Sequence, residues 1–198
     1  MSLIIEPLVQ CAGGMPLFDS LCHAFGTVST SGYSPYNASI GHYQSAYFDW
    51  VIIVFMFLGG VTFMLFYFGA RGEWKAIKVN TELRWYIGFT LFFCAAVTAI
   101  LWHKETYGFV DSLRFGTFQV VSLLTTTGFT TAPFHEWTGF LPVLLLFASF
   151  IGGCAGSTGG GMKVIRFVLL IKQGRREIMR LVHPNAQILV KVGQKTMP

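Results

Sequence analysis

The apolar stretch from Trp137 to Ile171 contains Gly152-Gly153-Cys154-Ala155-Gly156-Ser157-Thr158-Gly159-Gly160-Gly161, ten residues of which six are glycine. As one helix the stretch would be far longer than a hydrocarbon core of about 30 Å requires. Each glycine costs a helix about 1 kcal/mol relative to alanine, so the middle cannot be helical. The sequence therefore predicts two half-helices, Thr138 to Ile151 and Met162 to about Val182, joined by an irregular loop. Irregular backbone at membrane depth is tolerated only when it is buried in protein or lines a cavity. His183-Pro184 is expected to end the second half, because the residue before a proline disfavours helix.

Composition agrees with a membrane setting. The chain is 53% hydrophobic and 12% charged, with 20 Phe and 22 Gly, whereas soluble domains carry about a quarter charged residues. Ala46 to Phe68 reads as one full span, interrupted only by Asp49 and Gly59-Gly60, and Trp85 to Trp102 reads as a second with a Trp at each end. Met1 to Pro16 is too short and too broken, by Pro7, Gly13, Gly14 and Pro16, for a span or a signal peptide. Cys11, Cys22, Cys94 and Cys154 show no metal spacing and read as small buried hydrophobes.

Two hydroxyl-rich runs ending in glycine lie between the apolar segments: Val28-Ser29-Thr30-Ser31-Gly32-Tyr33-Ser34 and Ser122-Leu123-Leu124-Thr125-Thr126-Thr127-Gly128-Phe129-Thr130-Thr131. Glycine can adopt backbone angles that aim neighbouring carbonyls at one axis, and several such carbonyls can replace the water shell of a monovalent cation. Each run follows a short semi-apolar segment, Phe18 to Thr27 or Phe109 to Leu124, that opens with Asp-Ser-Leu at Asp19 or Asp111. An Asp there suits a helix N-terminus, which leaves the negative helix end facing the run. Asp49-Trp50 and Glu136-Trp137 then open the next apolar helix. The unit is pore helix, filter, transmembrane helix, repeated.

Only Lys104 and Arg114 of the 14 basic residues fall on the filter side; the others lie between the first two spans or from the Gly-rich loop onward. The positive-inside rule makes that basic side cytoplasmic and puts the C-terminal end there. Orientation accounts for the net charge of +5, so no nucleic-acid partner is implied. Gly161-Met162-Lys163-Val164 departs from a phosphate loop, which needs Gly directly before Lys and Ser or Thr after it. No catalytic constellation emerges, and the chain is not read as an enzyme. Lys163 and Arg166, three apart on one expected helical face, either snorkel to the inner interface or place positive charge near a cavity. His23, His42, His103 and His135 read as solvated outer-side residues.

The second hydroxyl run, the stretch Phe150-Ile151-Gly152 through Met162-Lys163-Val164-Ile165-Arg166, and Leu181-Val182-His183-Pro184-Asn185-Ala186 strongly resemble the TrkH family of bacterial Trk-type potassium-uptake membrane subunits, which belongs with Ktr and plant HKT proteins. The resemblance implies an all-α membrane protein of helix–pore-loop–helix repeats with re-entrant filters and a broken gate helix, four repeats to a pore. It divides the chain into a partial second repeat over residues 1–68, a cytoplasmic loop over 69–84, a third repeat over 85–182 and a cytoplasmic tail over 183–198. It assigns potassium coordination to Thr30, Ser31, Gly32, Thr126, Thr127 and Gly128. The gate falls on Gly152, Gly153, Gly156, Ser157, Thr158, Gly159, Gly160 and Gly161, next to the candidate cavity charges Lys163 and Arg166. It further implies potassium as the transported ion with no covalent cofactor, the bacterial inner membrane, a nucleotide-binding TrkA-like ring as cytoplasmic partner, and a homodimer of the complete protein. Two pore loops cannot encircle an ion, so the 198 residues alone are expected to insert without conducting, or to serve as an assembly element.

Overall fold

The computed structural model describes residues 2–137, 139–182, 190–192 and 195–197. Nine α-helices carry the described chain: α1 Ser2–Ala12, α2 Leu17–Val28, α3 Ala46–Gly59, α4 Phe63–Ala70, α5 Trp74–Val79, α6 Thr81–His103, α7 Phe109–Leu124, α8 Leu141–Ile151 and α9 Val164–Val182. Short 3-10 turns cover Ser39–Tyr43 and Phe134–Glu136. A small antiparallel hairpin, β1 Val190–Val192 and β2 Lys195–Met197, pairs Lys191 with Thr196. Thr138, expected to open a half-helix, and His183-Pro184, expected to end one, lie outside the described residues.

The architecture is all-helical, as expected, and two three-helix units organise it. In the first, α1 packs on α2 and α3; in the second, α6 packs on α7, which packs on α8. The units meet where α3 lies against α7. Ile52, Ile53 and Met56 of α3, Phe118 and Val121 of α7, and Phe129 fill that contact, all buried. A larger core joins Tyr86, Val97 and Leu101 of α6 to Val120 and Leu124 of α7 and to Leu141, Leu145 and Ala148 of α8. Asn80 starts α6 by accepting from the Leu83 N–H at 2.9 Å, which satisfies one of the donors a helix N-terminus leaves free.

Three expectations about the elements need correction. The run Ala46 to Phe68 is not one straight helix: α3 and α4 meet at 97° across Gly60-Val61-Thr62, as a broken span or a re-entrant turn. The apolar pattern continues through the bend, so hydropathy alone does not reveal it; Gly60 supplies space there, since a Cβ would collide with the Tyr86 hydroxyl. Among the described residues, α6 is the single helix long and apolar enough to cross a membrane, and α3 with α4 qualifies as a bent pair. Secondly, α1 runs through Pro7 rather than breaking at it, and the Pro7 carbonyl accepts instead from the Ser20 hydroxyl at 2.8 Å. Thirdly, Asp19 and Asp111 lie in the first turns of α2 and α7 without capping them; Pro16 and Gly108 hold the cap positions. Both carboxylates still sit at the positive end of a helix dipole, and each finds another partner.

Candidate functional site

The two Gly-terminated runs form loops with the same hydrogen bonds. In the first, Thr30 N–H donates to Thr27 C=O, and Ser31 and Gly32 N–H both donate to Gly26 C=O, at 3.1, 3.0 and 3.4 Å. In the second, Thr126 donates to Leu123, and Thr127 and Gly128 both donate to Ser122, at 3.0, 2.8 and 3.3 Å. Side chains repeat the pattern. The Ser29 hydroxyl donates to Phe25 C=O at 2.6 Å and lies 2.9 Å from the Ser31 hydroxyl. The Thr125 hydroxyl donates to Val121 C=O at 2.8 Å and lies 2.8 Å from that of Thr127. Each loop extends the C-terminal end of its helix, α2 or α7, where carbonyls are left without intrahelical partners.

Backbone angles match as well. Thr30 and Gly32 have φ of 51° and 66°, and Thr126 and Gly128 have 59° and 89°. A left-handed threonine is uncommon, and here the same local helix-end hydrogen bonds accompany it in both loops. In both loops the left-handed residues flank one ordinary residue, Ser31 or Thr127. The loops also touch: a Cβ at Gly32 would collide with the Thr127 carbonyl oxygen and lie 3.0 Å from the Gly128 carbonyl carbon.

Behind the first loop lies a polar cluster that sequence reasoning misjudged. His23, expected to be solvated, is fully buried; its Nε2 is 3.0 Å from the Ser34 hydroxyl, and its ring contacts Tyr43 and Phe129. Asp19 accepts from the Tyr43 hydroxyl at 2.7 Å and from the Tyr36 hydroxyl at 2.9 Å. These bonds, that from Tyr43 first, hold its carboxyl below the usual carboxylate range. Tyr36 and Tyr43 were the available signal, because covered hydroxyls need acceptors. Asp49 of α3 is buried 3.3 Å from Nε of Arg114, which ties the start of α3 to α7. Glu136-Trp137 precedes α8 rather than opening it.

The Gly-rich loop, residues 152–163, sits directly beneath the second hydroxyl loop. Gly160 N–H donates to the Thr126 hydroxyl at 2.6 Å. Its first half lies in the bend between α3 and α4. There Cys154 N–H donates to Gly60 C=O at 2.8 Å, the Thr62 hydroxyl donates to Ala155 C=O at 2.7 Å, and Phe63 N–H donates to Gly156 C=O at 3.2 Å. The bend in the first unit is thus the cradle for the loop of the second. Gly152 and Gly161 lie back to back with φ of 74° and 73°, and a Cβ on Gly161 would meet the Gly152 Cα at 2.8 Å. Ser157 donates to Cys154 C=O at 2.7 Å, and Gly153 C=O accepts from Val164 N–H at 3.1 Å.

Lys163 and Arg166 do not share a helical face. Lys163 precedes α9 with φ of 72°, and its ammonium folds back to donate to Gly159 C=O. Arg166, one turn further on, is exposed. A residue not singled out in the sequence, Glu82 in the first turn of α6, accepts from Ala155 N–H at 2.6 Å. An acid in a loop rich in basic residues was its only signal, and helix N-termini attract acids for ordinary reasons.

Comparison with known proteins agrees with this geometry. The cation transport protein family TrkH matches residues 6–197. The Trk system potassium uptake protein TrkH of Salmonella typhimurium is 44% identical over 96% of this chain and 41% of its own length. TrkH of Halomonas elongata is 42% identical over 96% and 40%, and TrkG of Escherichia coli 37% over 92% and 38%. The crystal structure of the potassium transporter TrkH from Vibrio parahaemolyticus superposes with a TM-score of 0.92 at 40% identity, over 100% of this chain and 43% of that one. The chain therefore spans about two fifths of the length of the relatives it matches. It belongs to the TrkH family of cation transport proteins, a family of membrane proteins.

Proposed function

Starting from that membership, we propose that this chain supplies two of the four pore loops of a potassium-uptake transporter. One observation carries the reading: two loops with the same hydrogen bonds and the same left-handed Thr-x-Gly backbone abut at Gly32 and Thr127. Carbonyls of Thr30, Ser31, Thr126 and Thr127, held by Gly32 and Gly128, replace part of the water shell of potassium. The helix ends beneath the loops add partial negative charge. Residues 152–161 form the gate below, where Gly152, Gly153, Gly156, Ser157, Thr158, Gly159, Gly160 and Gly161 cross the ion path, with the Lys163 ammonium against the Gly159 carbonyl. Uptake is passive or coupled to protons or sodium.

In the same reading the chain lies in the bacterial inner membrane with the filters outward and the C-terminal end cytoplasmic, as the basic residues require. Its basic face meets a nucleotide-binding TrkA-like ring, and the complete protein pairs as a homodimer in lipid. A second reading, a non-conducting assembly element, draws support from the first loop, where Ser29 and Ser31 are exposed and Tyr33 is 81% exposed.

The test is a chimera in which these residues replace the matching segment of a full-length relative, expressed in a strain lacking potassium uptake. Growth at low potassium and rubidium uptake near the parent's level are expected. A folded chimera that carries no rubidium overturns the conducting reading and leaves the assembly element.

A further inference from the structure

We infer that Glu82 is the latch of the Gly-rich loop: a positioning residue that fixes the gate from the cytoplasmic end of a neighbouring helix. The inference deepens the gate reading above and rests on it. The Glu82 carboxylate accepts from Ala155 N–H at 2.6 Å, where the loop settles into its cradle. The Ile165 backbone, in the first turn of α9 where the loop ends, and Lys163 act electrostatically on the same carboxylate. One side chain of α6 therefore holds the near end of the loop by a hydrogen bond and attracts the far end.

The loop also closes on itself, through Val164 N–H on Gly153 C=O and Met162 N–H on Phe150 C=O, both at 3.1 Å. From outside it, Gly60, Thr62 and Phe63 hold residues 154–156, Gly59 C=O accepts from the Thr158 hydroxyl at 3.4 Å, and Thr126 holds Gly160. Those partners belong to the α3–α4 bend and to the filter. Glu82 belongs to neither: it sits at the start of α6, directly after α5 and Asn80. Hydrogen bonds to an ionised acceptor are stronger than neutral ones, and here the acceptor also meets the positive end of α9. Losing the carboxylate strands the Ala155 N–H.

Cys154 provides a reporter independent of transport. It is fully buried in the latched loop, and its thiol is free. In the chimera above, with Cys154 as the sole cysteine, N-ethylmaleimide labelling measures how often the loop leaves its cradle. Glu82→Ala is expected to raise the labelling rate about tenfold or more, the factor that about 1.4 kcal/mol of lost latch would give. Glu82→Gln keeps one neutral acceptor and is expected to raise it about threefold, half of that energy on a logarithmic scale. Thr62→Val, which removes a cradle contact that Glu82 does not make, is expected to raise it by a smaller factor. Rubidium uptake without the cytoplasmic partner should rise in the same order.

Unchanged Cys154 labelling in folded Glu82→Ala overturns the latch. So does a rise matched by equal labelling of Cys94 in a sister chimera where that thiol is the sole cysteine, because this would mean general loosening. Failure of the conducting reading looks different: the parent chimera would carry no rubidium, yet the labelling order would still decide the latch.

Discussion

The two hydroxyl loops share a backbone but not a setting. Thr125 and Thr127 are buried and Phe129 is completely covered, whereas their counterparts Ser29, Ser31 and Tyr33 are exposed. The second loop is enclosed by α3, α7 and the Gly-rich loop; the first is enclosed on one side only, where Gly26 accommodates Phe129. A Cβ on Gly26 would lie 2.9 Å from that ring. Ser122 takes the place of Gly26 in the second loop, and its hydroxyl donates to Phe129 C=O at 2.6 Å. The same conformation is therefore reached with two levels of packing, so its cause lies in the helix end and the Thr-x-Gly sequence rather than in the neighbours.

The sharpest way to break that comparison is at the terminal glycines. Both have positive φ, so alanine at either costs about 1–2 kcal/mol of backbone strain. Gly128 has nothing within 4 Å of its would-be Cβ, but Gly32 faces the Thr127 backbone. In the chimera, Gly32→Ala is expected to abolish rubidium uptake and potassium selectivity, and Gly128→Ala to lower uptake about tenfold. Equal losses would show that strain alone matters. Wild-type growth with unchanged sodium leak in both variants would remove both loops from the filter.

The Gly-rich loop distinguishes the loops next, since its Gly160–Thr126 bond reaches only the second. Replacing Gly159 and Gly160 with alanine raises local helix propensity by about 1 kcal/mol each. It also puts a methyl 2.8 Å from the Thr125 carbonyl oxygen. Rubidium flux is expected to change several-fold with the sodium-to-potassium ratio unchanged. An altered ratio with normal flux would place this loop in the filter instead.

Sequence periodicity and punctuation made some of this legible in advance. Helix α7 occupies the expected Phe109 to Leu124, and the helical break falls on the glycines, because no helix tolerates six in ten residues. Long-range pairing was out of reach. The 97° bend at Gly60–Thr62 receives residues 154–156, which lie far along the chain and pair through backbone atoms that carry no sequence signal. His23 and Glu82 were misread or passed over for one reason. A polar residue near a helix end has a bland surface explanation, and only the fold reveals which of them faces inward.

The smallest test concerns the middle residue of each loop, Ser31 against Thr127. The hydroxyls make equivalent contacts, at 2.9 and 2.8 Å, so the two positions differ by one methyl and by burial. Thr127→Ser deletes a buried methyl beside Thr125 and should destabilise the loop by about 1 kcal/mol, read as a lower Tm of the purified chimera. Ser31→Thr adds a methyl at an exposed position of this chain, where substitutions stay within about 0.5 kcal/mol. A neutral Ser31→Thr in the chimera would mean that the first loop keeps an open back in the complete transporter. A cost above about 1 kcal/mol would mean that a neighbouring repeat packs against Ser31 as closely as α3 and α7 pack around Thr127, and the asymmetry between the loops would then belong to the segment and not to the pore.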